Sequence, residues 1–365
     1  MAFSVVSKKL PSRRRPRTVA TPATIFSAAT VAVLWLLAYN KHVDQVGGGT
    51  TTTALDGRQP ETLFQPKGSD PLATLINSLD RTNRCRDDDD PPHWFTYNAT
   101  QYPCLCPDPT VPRERSGSTH KRWKAWHNQM VQRTHQISNP NHNNSTTTSS
   151  IDVVLLGDSI LEHFRGTKAL GKLALPELRQ VFEAHFVKSH GATLEGEALG
   201  TGGDSTTELL WHWTHQLLPT TLQPRAIVLL IGTNDLGLLQ CSKTHVLAAI
   251  LNLATLIKTE KPQSTLILHG LLPRNEFYKD QNFDLGPRWE QIQWINQHLQ
   301  RYAVLQDDWY YIENTDIFLR PENSTMMYKK YLPDGLHPSL AGYQRWAPRL
   351  VQQIEEILAV KKGHG

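Results

Sequence analysis

The sequence lacks three things that would each have named a function class. It has no paired Cys/His spacing of the kind that holds structural zinc. It has no internal repeat. It has no basic surplus outside its N-terminus, although its formal charge is +4. Lys8, Lys9, Arg13, Arg14, Arg15 and Arg17 all precede residue 18, and the remainder is near neutral. Nucleic-acid binding would need a basic face on the folded domain, so it is not inferred.

Charge is also missing from Thr18 to Asn40, a stretch that carries Ile25, Phe26, Val31, Val33, Leu34, Leu36 and Leu37. About 20 apolar residues span a bilayer as a helix. The cationic cluster ahead of the stretch orients it with the N-terminus in the cytoplasm. Residues 1–17 therefore read as a basic cytoplasmic tail and 18–40 as a transmembrane signal anchor of a single-pass type II protein. The bulk of the chain is then expected in the ER/Golgi lumen or at the cell surface. A cleaved signal peptide and an organellar transit peptide are the alternatives, since the first forty residues are Arg-rich and free of acids.

Cysteine is scarce: Cys85, Cys104, Cys106 and Cys241. Three of them cluster in a Pro-rich, loop-like region, which suits disulfides in an oxidising compartment. Free thiols are the plainer reading. Cys104 and Cys106 are too close to pair easily, so Cys85 with one of them is the expected bridge. Asn-X-Ser/Thr triplets at Asn98, Asn143, Asn144 and Asn323 point to the same secretory route, though single triplets arise often by chance.

What is present falls into segments. Residues 41–72, with Gly47-Gly48-Gly49 and then Thr50 to Thr53, read as a flexible stem. Residues 73–135 hold cysteines, Trp94, Tyr97, Tyr102 and Trp123, too aromatic for linker, and are expected to form a small pendant on the main domain. Its Asp87 to Asp90 run reads as a solvated acidic loop. Residues 136–150 read as a second linker.

The main domain is expected over 151–360. Short apolar runs alternate there with longer amphipathic segments, which argues βαβ units and a parallel sheet, an α/β fold. Strands are expected at Val153 to Leu156, Thr193 to Leu199, Ala226 to Ile231, Thr265 to His269 and Tyr310 to Ile312. Ser205-Thr206-Thr207-Glu208 is a capping box that opens a helix. Helical spacing recurs in Val246/Ile250/Leu253/Ile257, in Trp289/Ile292/Ile295/Leu299/Tyr302 and in Ala347/Leu350/Val351/Ile354/Leu358.

Four polar segments stand at predicted carboxyl ends of strands, where open α/β sheets keep their chemistry. They are Gly157-Asp158-Ser159, Gly200-Thr201-Gly202-Gly203-Asp204, Gly232-Thr233-Asn234-Asp235 and, before the last helix, Asp334-Gly335-Leu336-His337-Pro338. Each alone has a structural reading as a turn or a cap. Together they supply an acyl-transfer site. Ser159 attacks an ester carbonyl, His337 moves its proton and Asp334 holds the imidazole. The backbone N–H groups of Ser159 and Gly203 and the amide of Asn234 form the oxyanion hole. His163, Trp211 and Arg274 are candidate substrate-pocket residues, with helix packing or an ion pair as the alternative for each. Asp158 and Asp235 read as structural, bonding loop backbone.

These blocks resemble the four ordered blocks of the SGNH (GDSL-type) hydrolase superfamily, most closely its platelet-activating-factor acetylhydrolase-like branch. Gly202-Gly203-Asp204-Ser205-Thr206 before Leu210-Trp211, Gly270-Leu271-Leu272-Pro273-Arg274, and Gly342-Tyr343 after the last block add to the likeness. Ala198 stands near where many members have Asn. The resemblance covers about residues 151–358. It implies a flavodoxin-like three-layer α/β/α sandwich, serine-esterase chemistry, and no metal or organic cofactor. The expected function is hydrolysis of small acyl esters, acetyl above all, of a small molecule, glycan or lipid. An O-acyltransferase using the same site on a glycan and a non-catalytic glycan- or lipid-binding module are the alternatives.

Overall fold

A computed structural model describes residues 71–79, 106–139, 151–275 and 285–362. All of these belong to one compact unit, Pro60–Gly365. The stretch 18–40, Asn98, Asn143, Asn144, Cys85, Cys104 and the Asp87 to Asp90 run lie outside the described residues. Among the described residues no helix is long and apolar enough to cross a membrane.

The described chain opens with α1 (Pro71–Ser78), which begins inside the segment read as stem, and α2 (His120–Ser138), which runs into the segment read as linker. Then come β1 (Val153–Gly157), α3 (Ser159–Phe164), the short strands β2 (Thr167–Lys168) and β3 (Leu173–Ala174), and α4 (Pro176–Phe186). Next are β4 (Gly196–Gly200), α5 (Thr206–Thr214), β5 (Ala226–Leu230), α6 (Thr233–Gly237) and α7 (Lys243–Glu260). The chain continues through β6 (Thr265–His269), α8 (Gly286–Val304), β7 (Trp309–Ile312), β8 (Leu319–Arg320), β9 (Asn323–Met327) and α9 (Leu340–Lys362).

β1, β4, β5, β6 and β7 form one parallel sheet in the order β4-β1-β5-β6-β7. In chain order this is the 2-1-3-4-5 arrangement of doubly wound flavodoxin-like folds, with its switch point between β1 and β5. Val153, Val154, Leu155 and Leu156 are wholly buried, as a strand covered on both faces requires. α4 packs with α9 on one side of the sheet, and α7 packs with α5 and α8 on the other. On the first side Phe164, Phe182, Phe186, Tyr343 and Trp346 form a continuous aromatic cluster, Phe164 lying 5.1 Å from Tyr343 and 5.8 Å from Phe186. Such pairs contribute about 0.5–1.5 kcal/mol each beyond the area they bury.

The capping box appears as expected: Ser205 accepts from the Glu208 N–H, and the Glu208 carboxylate accepts from the Ser205 N–H. It starts α5 directly after the Gly-rich loop. α2 has a different task. Its Trp126 indole donates to Gly200 O at 3.0 Å, Arg133 pairs with Glu197 at 2.7 Å, and Thr134 Oγ1 donates to Leu217 O at 2.9 Å. These contacts place α2 over β4, an edge strand whose free polar groups would otherwise be open to other chains. Trp123 and Met130 are fully buried there, each worth roughly 1.5–3 kcal/mol.

Of the two bridges expected for Cys85, the one to Cys106 is corrected; the one to Cys104 lies outside the described residues. Cys106 pairs with Cys241, their Cα atoms 4.9 Å apart. The fold supplies the reason. The segment leading into α2 returns to the carboxyl edge of the sheet, where Arg113 N donates to Thr207 O, and the loop after α6 brings Cys241 to the same place. Sequence proximity carries no information about such a return.

Candidate active site

The register of the sheet assembles the site. Gly157 lies opposite Gly200 on one side and Leu230 on the other. Ser159, Gly203 and Asn234 therefore leave three neighbouring strands from one edge, around the switch point. Asp158 caps α3 by accepting from Ile160 N at 2.9 Å, which fixes the turn that presents Ser159. Ser159 Oγ is 2.9 Å from His337 Nε2, and His337 Nδ1 is 2.8 Å from Asp334 Oδ2. Asp334 Oδ1 also accepts from Leu336 N and His337 N, at 3.0 and 2.7 Å. One carboxylate thus organises the loop with one oxygen and the imidazole with the other.

Burial works against the Asp334 charge, but the His337 side-chain and backbone hydrogen bonds outweigh it and hold the carboxyl at about 2. It stays ionised at any physiological pH. The loop is held from outside by Asn275, whose N–H donates to Gly335 O at 2.8 Å. Gly335 has φ +76°, and a Cβ there would sit 2.8 Å from Asn275 Nδ2, so no side chain fits. The line of groups is reachable: Ser159 keeps 7% exposure, His337 15% and Asp334 26% at the side chain.

Asn234 sits in α6 and donates one amide hydrogen to Asp204 O at 2.8 Å. An amide nitrogen carries two hydrogens, so a second is left to donate. Asp235 is structural, both its oxygens accepting from Thr206 N at 3.1 and 2.9 Å. Its burial raises its carboxyl to about 7. Asp158 is likewise raised by burial, to about 6.

The three pocket candidates separate. His163, one turn along α3 from Ser159, has its ring centroid 4.7 Å from that of His337. Burial, and then the neighbouring His337, lower it to about 3, so it is neutral. Trp211 is instead packed against Trp123 at 4.8 Å and His215 at 3.8 Å, with Lys124 over its ring. Arg274 is 3% exposed and donates to the carbonyl and hydroxyl of Thr233. It braces the first turn of α6, which carries Asn234, and does not face solvent. Asn323 is exposed at the start of β9. Among the described residues no group of three His, Cys, Asp or Glu side chains is placed to hold a metal ion.

Sequence reasoning missed the supports of the Gly203 loop. Glu162, fully buried on α3, accepts from Gly202 N at 2.7 Å and from Gly171 N at 2.9 Å. Asp204 is also fully buried and receives Trp123 Nε1 and Arg115 Nη2, both at 2.7 Å. Its other oxygen lies 3.0 Å from His212 Nε2, and His212 Nδ1 is 2.9 Å from His127 Nδ1. Burial pushes the Asp204 carboxyl well above its usual range, against the Arg115 cation. No local pattern announces these partners, because each is far away in the chain.

A doubly wound sheet with Ser, Gly and Asn at its switch point and an Asp-His pair beside the serine is the arrangement expected of the SGNH type. The profile of the GDSL-like Lipase/Acylhydrolase family matches residues 155–345, and the chain belongs to that family. Among curated relatives, the platelet-activating factor acetylhydrolase IB subunit alpha2 of Gallus gallus is 26% identical over 155 residues, 42% of this chain and 53% of its own length. The subunit alpha1 of Homo sapiens is 22% identical over 214 residues, 59% of this chain and 80% of its own. The chain spans about half the length of the alpha2 relatives it matches. A solved GDSL-like lipase from Bacteroides thetaiotaomicron is 20% identical, covers 62% of this chain and 98% of its own, and superposes with a TM-score of 0.45.

Proposed function

We propose that the protein hydrolyses esters of small acyl groups, acetyl foremost, through an acyl-enzyme on Ser159. The observation that carries this reading is the unbroken line Ser159 Oγ–His337 Nε2, His337 Nδ1–Asp334 Oδ2, at 2.9 and 2.8 Å. His337 takes the serine proton as Oγ bonds to the ester carbonyl carbon. The carbonyl oxygen becomes an oxyanion facing the N–H groups of Ser159 and Gly203 and the remaining amide hydrogen of Asn234. The intermediate collapses, the C–O bond to the alcohol breaks, and His337 returns the proton to the leaving alkoxide. Water, deprotonated by His337, then releases the carboxylate and restores Ser159. Asp334 keeps the imidazole in the tautomer that accepts at Nε2 and stabilises its cation.

The preference for acetyl is supported by the acetylhydrolase relatives. The charge-free stretch 18–40 behind a cationic cluster supports a luminal or extracellular placement, which makes O-acetylated glycans the first substrate class to test. Hydrolysis of p-nitrophenyl acetate by the full chain should fall by three or more orders of magnitude in Ser159→Ala. Wild-type turnover in that variant would sink the mechanism. For topology, the full-length protein should lose mass on glycosidase treatment; import into an organelle without such mass would overturn the placement.

A further inference from the structure

A trans peptide is planar, so its C=O and N–H point in opposite directions. The peptide joining Gly202 to Gly203 therefore ties the direction of the Gly203 N–H to whatever holds the Gly202 oxygen. That holder is Arg115, whose Nη1 donates to Gly202 O at 2.9 Å. Arg115 lies outside the segment matched by the family profile, 155–345. Its other donors reach the far side of the same loop: Nη2 meets Asp204 Oδ1 at 2.7 Å and Nε meets Glu208 Oε1 at 3.2 Å. Gly203 has φ +80°, a conformation that favours glycine, and the guanidinium lies against it, with Arg115 Nη2 in van der Waals reach of an ideal Cβ at 3.5 Å.

We propose that Arg115 is a positioning residue for ester hydrolysis: its guanidinium grips the loop on both sides of Gly203 and aims and polarises the Gly203 N–H toward the oxyanion. The proposal rests on the reading of Ser159 and Gly203 given above. The planar five-donor fork suits this task, because one rigid group must serve a carbonyl and two carboxylates at once. A charged donor on the carbonyl end of an amide also strengthens the N–H at its other end as a donor. The remaining freedom of the loop is removed from the opposite side, where Glu162 accepts from Gly202 N at 2.7 Å.

Arg115 is itself fixed. Its side chain is 13% exposed, its guanidinium carbon stands 5.8 Å from the centroid of Trp123, and its carbonyl is 2.7 Å from His120 Nδ1. Two residues earlier, Arg113 N donates to Thr207 O at 2.9 Å, which docks the segment beside the start of α5. A cation at a helix N-terminus opposes the helix dipole. Asp204 and Glu208 offset that cost, which explains why two acids flank the first turn of α5.

The test uses the full chain and the variants Arg115→Met, Arg115→Lys and Ser159→Ala, with p-nitrophenyl acetate as substrate. Rates are divided by the sites that a fluorophosphonate labels at completion, so misfolded protein does not count. Removing a direct oxyanion donor costs about 10²–10³-fold, and loss of its aim should cost roughly ten- to a hundredfold. Arg115→Met should therefore lower kcat per labelled site by that factor with KM within about threefold, and Arg115→Lys should recover only part. A kcat per site within about twofold of wild type in Arg115→Met, with fewer sites labelled, would make Arg115 a stability residue and overturn the proposal. If Arg115→Met yields no labelled protein, Arg115→Lys decides: reduced kcat at unchanged KM supports the proposal, and wild-type kcat overturns it. Activity surviving in Ser159→Ala would instead overturn the reading of the site, whatever Arg115 does.

Discussion

Asp334 and His337 hold each other across three residues, whereas the Gly203 loop is held by residues 30 to 89 positions away. The proposed acid–base arm is built from one turn of chain, and Asn275 braces it from outside through Gly335 O. The proposed oxyanion arm is a convergence of Glu162 from α3, Arg115 and Trp123 from the N-terminal segment, and Asn234 from α6. The comparison teaches a division of labour. Proton transfer needs two groups in hydrogen-bond contact, which a short loop can supply. An oxyanion hole needs donors fixed in direction before charge appears, and a loop of glycines cannot fix itself. The chain therefore adds an element, α2 and its leader, and ties it to the loop after α6 through Cys106–Cys241.

The largest effect is expected in the local arm. Asp334→Asn keeps an oxygen to accept from Leu336 N and His337 N but loses the hold on the imidazole tautomer. kcat should fall on the order of 10⁴-fold with an unchanged circular dichroism spectrum. A change in fold would mean that the loop depends on more than its own hydrogen bonds. In the distant arm, Asn234→Ala should cost about 10²–10³-fold in kcat. It also removes the bond to Asp204 O, so unfolding stability should drop by about 1 kcal/mol. A loss confined to stability would place Asn234 with the loop supports.

The covalent tie comes next. Cys106→Ser combined with Cys241→Ser should lower unfolding free energy by about 2–4 kcal/mol, since the bridge spans 135 residues. If the two arms are independent, the Ser159–His337 contact survives, and fluorophosphonate still labels the folded fraction to completion. The smallest effect concerns pH. His163 has its folded pKa lowered to about 3 from 6.5, by burial first. The unfolded chain therefore binds this proton more readily, so the stability from His163 is full above about 6.5 and is lost as pH falls toward 3. His163→Phe should shrink the drop in Tm between pH 7 and 5. An unchanged drop would assign it to other groups; the buried His127 and His212, lowered to about 4 and about 3, act in the same direction.

The same contrast explains what could be read from the sequence. Most main strands are apolar runs, and four of the five meet a Gly at their end or within two residues after it, a signal confined to a few residues that β7 lacks. Asp334 and His337 fall within one loop, and the capping box at Ser205 and Glu208 names its own helix. The parallel sheet, the family and the pairing of Asp334 with His337 were legible for that reason. Arg115, Trp123 and Glu162 were not, because their partners follow from how segments return in space. Cys106 shows the same limit: Cys85, in the same stretch of sequence, was an expected partner, and the actual partner, Cys241, lies beyond β5. Arg274 was legible as polar at a strand end, but not that it turns inward to Thr233.

The most direct test of the central claim is to react the full-length protein with a fluorophosphonate and map the adduct by peptide mass spectrometry. The account predicts one adduct per chain, on the peptide carrying Ser159, forming at least about a hundredfold more slowly in His337→Ala. An adduct on another residue with Ser159 unmodified, or an unchanged rate in His337→Ala, would contradict it.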